Sequence, residues 1–180
     1  VGSNAATKQL IGKQTKVIDA QGKLVLPGFN DSHVHFIDGG MGLSSVDLRD
    51  AKSPEEFTKR IKEFATKLPK GRWILGGVWD HENWTPNNLP TAAMIEGVTP
   101  DIPVFIYRLD GHMALGNSLA MKLAKVDKNV KNVDGGEIVR DADGNPTGIF
   151  KDNAMNYINA VIPDATFDQK LEYATAASNY

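Results

Sequence analysis

Two of the chain's four histidines, His33 and His35, stand one residue apart in LVLPGFNDSHVHF, with Asp31 two residues before the first. On a strand, residues i and i+2 face the same side, so both imidazoles would point one way and Val34 the other. Two neutral imidazoles on one face can share a divalent ion, for zinc at about 2.0–2.1 Å each. The bland alternative is a polar pair on a half-exposed strand. Asp31 shifts the balance, because a carboxylate beside a ligating histidine can accept its second N–H and fix the ring.

A second group of chemistry-bearing residues sits at the end of the apolar run PVFIYRL: Arg108, Asp110 and His112, with Asn117 just before a helix. They could line a pocket and donate hydrogen bonds to a polar substrate; alternatively they form an ion pair, a turn and a helix cap. Trp79 and Trp84 flank the loop WDHENW and could serve the same pocket or the core, whereas Trp73 reads as core. His81 reads as an exposed loop histidine. Asp141–Gly144 (DADG) lacks the later ligands of a calcium loop and reads as a turn. Lys151 and Asp152 read as a surface lysine followed by a capping aspartate.

The elements that must hold these residues are legible in part. TKVIDAQGKLVLPG reads as two short strands about the turn 20–23, and 29–36 as a separate strand carrying the histidines. Asp38–Gly42 reads as a Gly-rich bend. Ser53-Pro54-Glu55-Glu56 starts a helix whose Phe57, Ile61, Phe64, Ala65 and Leu68 recur at helical spacing. Segments 72–79 and 103–109 read as buried strands with a short helix from about Thr91 between them. A helix capped by Asn117 or Ser118, a hairpin across Asp141–Pro146 and a short helix over 153–161 come next. Thr166 with Gln169 opens a last helix. The alternation gives an α/β or α+β class.

Composition narrows the function classes. With 20 basic against 22 acidic residues, the net charge is −2, and no basic stripe suggests nucleic acid. The absence of cysteine removes thiolate chemistry and disulfides. No apolar run has membrane-span length. A small-molecule substrate is the expected partner, a homo-oligomer is left open, and the cytoplasm is favoured unless a leader precedes residue 1. The last helix carries no stop signal, so the sequence reads as part of a longer chain.

PGFNDSHVHF resembles the PGxxDxHxH signature of the amidohydrolase superfamily. GRWILGGVWDHENW, PVFIYRLDGHMALGNSLAM and GGEIVRDADGNPTGIFKDNAM are similar to the segment that follows it in amidohydrolase family 3, the YtcJ-like group. That resemblance implies a metal-dependent hydrolase of C–N bonds, built as a (β/α)8 barrel with a small flanking β-sandwich. Only the first barrel strand would be present here. By the same resemblance, residues 1–28 belong to the sandwich, 29–40 to the first barrel strand, 41–163 to an inserted α/β domain and 164–180 to the first barrel helix. His33 and His35 become metal ligands, with Zn²⁺ the favoured ion and one or two ions allowed. Asp31 becomes their support, and Trp79, Arg108, Asp110, His112 and Asn117 a substrate pocket. A deformylase of N-substituted formamides and a broader amidase both fit. The general base and remaining ligands are expected downstream, so these 180 residues alone are expected to bind metal weakly and to be inactive. The competing class is a binding module in which the histidine pair is incidental.

Overall fold

A computed structural model describes residues 2–180. The chain forms two compact units, divided between Val34 and His35, and each is described by itself.

In the first unit, Ser3 accepts the Ala6 N–H at 3.2 Å and caps a short helix, α1 (Asn4–Lys8). The expected turn is present: Lys23 N–H donates to Ala20 O at 2.9 Å, and Gln21 and Gly22 take positive φ. The two strands expected to flank it are not formed, nor is the strand expected over 29–36. Val17, Ile18, Leu24, Val25, Leu26 and Phe29 are exposed. A strand is stable only when its N–H and C=O groups are paired and one face is covered, and the described residues give this segment neither.

The second unit opens with α2 (Phe36–Leu43), where a Gly-rich bend was expected. Here the glycines serve close packing. A Cβ on Gly40 would lie 1.9 Å from the backbone oxygen of Tyr173, in α7 (Phe167–Asn179), whereas one on Gly39 would meet nothing within 4 Å. Gly40→Ala is therefore expected to force the two helices apart and to lower stability by about 1–3 kcal/mol. Gly39→Ala should be neutral or stabilising by up to about 1 kcal/mol. Urea unfolding of the two variants side by side checks the contrast.

The sheet runs β1 (Val46–Asp47), β2 (Gly76–Trp79), β3 (Phe105–Arg108), β4 (Met113–Gly116), β6 (Pro146–Asp152), β5 (Gly136–Arg140) across its width. The first three strands are parallel and the remaining pairs antiparallel. The helix expected after Ser53 is α3 (Pro54–Ala65), with Ser53 Oγ accepting the Glu56 N–H at 3.2 Å. Short helices α4 (Ala93–Glu96), α5 (Ser118–Leu123) and α6 (Asn156–Asn159) lie between strands or after them.

Alternation along β3 explains why PVFIYRL reads as a continuous apolar run. Val104 and Ile106 join Phe57, Ile61, Ile74, Trp79 and Trp84 in one buried cluster. Phe105 joins Ala114, Met121, Phe150 and Ile158 in the other. Both faces of the strand are covered, so neither can be polar. Among the described residues, no helix is long and apolar enough to cross a membrane.

Candidate functional site

Strand directions gather the polar residues of the second unit at one end of the sheet. β2 and β3 run parallel and finish there, β4 starts there because it is antiparallel to β3, and β6 finishes there because it is antiparallel to β4. The loops after β2 and β3 thus bring Asp80, His81 and Glu82 beside Arg108, Asp110 and His112, and β6 adds Asp152.

Arg108 organises the group. Its Nη1 donates to Asp110 Oδ2 at 2.5 Å, and its Nη2 lies 3.5 Å from Asp80 Oδ1 and 3.7 Å from Glu82 Oε1. Leu109 N–H donates to Trp79 O at 2.8 Å and ties the two loops together. Asp110 Oδ1 accepts the backbone N–H of His112 at 3.0 Å. Burial pushes the Asp110 carboxyl up, but the His112 N–H and the Arg108 charge outweigh it and hold the group below its ordinary value.

His112 is bracketed from the other side by Asp152, with Nδ1 2.8 Å from Asp152 Oδ1. The hydrogen bond and charge of Asp152, then the charge of Asp110, raise its pKa above the ordinary histidine value. Asp152→Asn is expected to bring that pKa down, as followed by NMR titration of the His112 ring. Because the folded value is the raised one, the pair's contribution to stability is complete below about pH 6.5. It disappears as pH rises through the folded value.

Two of the four described non-glycine residues with positive φ, Val78 and Asp152, lie at or beside this end. Gly76, Gly77 and Val78 all have positive φ, with Val78 at 53°, and the register against β3 shifts between Gly77 and Trp79. A β-branched residue rarely adopts this conformation. Asp152 sits at φ 47°, ψ −125°. Each such residue costs about 1–3 kcal/mol, and such costs persist at sites whose geometry the surroundings enforce. Among the described residues, two buried side-chain nitrogens lack a hydrogen-bond partner, His81 Nδ1 and Arg108 Nε, and both are here.

The structure separates the expected pocket residues. Arg108, Asp110 and His112 come together as expected, but Trp79 and Asn117 do not face outward. Trp79 is fully buried and its Nε1 donates to Ile106 O at 2.9 Å, so in this arrangement it is core. Trp84 is likewise buried, its Nε1 donating to Ala51 O at 2.9 Å. Asn117 is fully buried, with Oδ1 accepting from Val104 and Ala120 and Nδ2 donating to Thr99 and Ile102. It does cap α5 as expected, while also tying the helix start to the stretch from Thr99 to Val104.

His81 corrects the expectation of an exposed loop histidine. The turn that Asp80 caps folds its ring back between Trp79 and Trp84, with centroids 6.0 and 6.5 Å away. Asp152 makes no side-chain cap, its carboxylate being turned to His112 instead. Lys151 pairs with Glu137 at 2.8 Å. The DADG segment is the expected turn, in which Asp141 accepts the N–H groups of Asp143 and Asn145.

His33 is the next-to-last residue of the first unit and His35 opens the second. Asp31 Oδ1 accepts the backbone N–H of His33 at 3.0 Å, and His35 Nδ1 lies 3.5 Å from Asp38 Oδ2. Both histidines are exposed, and their imidazoles suit a borderline divalent ion. Among the described residues, no group of three or more His, Asp or Glu is arranged to hold a metal. The donors fit such an ion in kind, as part of a set.

The profile of the amidohydrolase family matches residues 16–179. Protein LONG AFTER FAR-RED 3 of Arabidopsis thaliana is 41% identical over 180 residues, which are all of this chain and 31% of that protein. The putative amidohydrolase YtcJ of Bacillus subtilis is 33% identical over 177 residues, 98% of this chain and 34% of that protein. The chain therefore spans about a third of the length of these relatives. The crystal structure of an uncharacterized metal-dependent hydrolase from Pyrococcus horikoshii superposes with a TM-score of 0.69 at 32% identity, covering 97% of this chain and 32% of that one.

Proposed function

Because the chain belongs to amidohydrolase family 3, in its YtcJ-like group, we propose that it contributes the first metal ligands and part of the substrate pocket to a metal-dependent hydrolase of amide-type C–N bonds. The observation that carries the reading is the HxH pair of PGFNDSHVHF, lying inside a family match that covers nearly the whole chain. The likeness to a solved metal-dependent hydrolase supports it.

In this reading His33 and His35 would hold a divalent ion, preferably Zn²⁺, and Asp31 would support them. When bound, the ion supplies Lewis acidity and a water that ionises near pH 7. Asp31 fixes the backbone of His33 through its N–H and so limits how the first imidazole can turn. Arg108 and Asp110 hold the loop after β3, and that loop presents His112 to a small polar substrate. In the longer protein, residues 29–36 would pair as the first strand of a (β/α)8 barrel and 41–163 would stand as an insertion. Residues 1–28 would join a flanking β-sandwich, and 164–180 would form the first barrel helix.

The test is metal analysis and amide hydrolysis by the protein that extends past Tyr180. About one or more equivalents of divalent metal, with turnover of N-substituted formamides or related amides, is the expected result. A fully metallated protein that hydrolyses no amide would sink the reading. Residues 1–180 alone are expected to retain little metal and to turn over nothing, because two imidazoles are half of a tetrahedral set.

A further inference from the structure

The hydrolase reading leaves open which substrates are accepted, and the sheet end around Arg108 bears on that question. We propose that this end of the sheet contacts the substrate directly and selects uncharged or amine-bearing amides over carboxylate-bearing ones, with His112 donating a hydrogen bond to a substrate oxygen and Asp152 as its positioning residue. This rests on the hydrolase reading for the identity of the substrate, but not for the existence of the site.

Four observations converge. The site lies beyond the carboxyl ends of parallel strands β2 and β3, where ligands of α/β proteins bind. His112 has Nδ1 committed to Asp152, while its side chain is 74% exposed and its Nε2 makes no hydrogen bond among the described residues. With Nδ1 held by Asp152, Nε2 is left for a ligand, and it donates when the ring is protonated, the state that the Asp152 and Asp110 carboxylates favour. Both non-glycine residues with strained backbone in the sheet, Val78 and Asp152, lie within two residues of the cluster or in it. The buried nitrogens without partners, His81 Nδ1 and Arg108 Nε, belong to it as well. Unsatisfied buried polarity is rare enough that its concentration at one place marks a site.

Charge supplies the selectivity. Asp80, Glu82, Asp110 and Asp152 surround Arg108 and His112, with His81 Nε2 3.6 Å from Glu82, so four carboxylates face at most three cations. A ligand carboxylate entering this field meets net repulsion, whereas a neutral carbonyl accepts from the His112 N–H without that cost and an ammonium is drawn in.

The test is NMR of the 180-residue chain, labelled at histidine, titrated with N-butylformamide and with N-formylglycine. Shifts of the His112 ring are expected with the first ligand, at an affinity at least about 5-fold above the second. His112→Ala should weaken N-butylformamide at least about 5-fold, and His112→Gln, which keeps a donor near the Nε2 position, should lose less. Asp152→Asn should weaken it too and should change the ring nitrogen shifts that report protonation of the imidazole, which a merely structural role would not do. Equal response to both ligands, or binding unaffected by His112→Ala, would overturn the proposal.

Activity of the longer protein separates this inference from the hydrolase reading. Amide hydrolysis at full rate in His112→Ala would overturn the inference and leave the hydrolase standing. Selective shifts at His112 in a metallated protein that hydrolyses no amide would keep the inference and overturn the hydrolase.

Discussion

His33→Ala, made in the protein that extends past Tyr180, is expected to lower metal affinity by more than about 100-fold and to abolish amide hydrolysis. The magnitude follows from a comparison: removing a group that only orients a metal ligand costs about 10–100-fold, and removing the ligand itself costs more. His35→Ala should match it. Metal content by elemental analysis after exhaustive dialysis is the direct measurement, and unchanged content in either variant would refute the assignment. Asp31→Asn refines the test. An asparagine keeps an oxygen that can accept the His33 N–H, as Asp31 now does at 3.0 Å. A loss beyond a few-fold in that variant therefore reports on the carboxylate's charge beside the imidazoles rather than on the local turn.

Asn117→Ala is expected to be the most damaging single substitution in the second unit, at about 3–4 kcal/mol. The side chain is fully buried and bonds to Val104, Thr99, Ile102 and Ala120 at once. Alanine would leave the N–H groups of Val104 and Ala120 and the carbonyls of Thr99 and Ile102 without that partner. Each orphaned buried group costs about 1–3 kcal/mol, and partial relaxation recovers some of the sum. Asn117→Asp is informative beside it, because it keeps the two acceptor contacts and removes the donors. Urea denaturation of both variants gives the comparison, and a loss below about 1 kcal/mol for alanine would refute the account.

Sequence patterns revealed those elements whose signals are local. Ser53, Pro54 and Glu56 mark the start of α3, and Thr166 with Gln169 forms a capping box at α7. The hairpin around Asp141 carries its own turn chemistry. What escaped was set by partners distant in the chain. β4 is a four-residue stretch without β-branched residues, and it exists because β3 and β6 pair with it on both sides. Without β4, nothing in the sequence places Asp152 opposite His112, forty residues away. Gly40 looked like a turn signal because the helix that needs its small size lies more than a hundred residues on.

The candidate site divides along the same line. The histidine pair was legible because its spacing is itself the signal. Arg108, Asp110 and His112 are legible because they cluster at the end of one strand. The family resemblance and the strand-end loop place Trp79 and Asn117 at the pocket, while in the structure the alternation of β2 and the packing at the start of α5 bury both side chains. His81 was missed because its burial depends on two tryptophans closing over a three-residue turn.

The close contact of Gly40 with Tyr173 has a topological meaning. It brings the first helix of the second unit against the last, so everything from Ser44 to Thr166 leaves from and returns to nearly the same point. A segment closed at its base in this way can be lengthened, shortened or exchanged without moving the two helices that clasp it. Such a segment is free to diverge as a cassette, so related hydrolases could differ in what they accept while keeping the same pair of helices beneath.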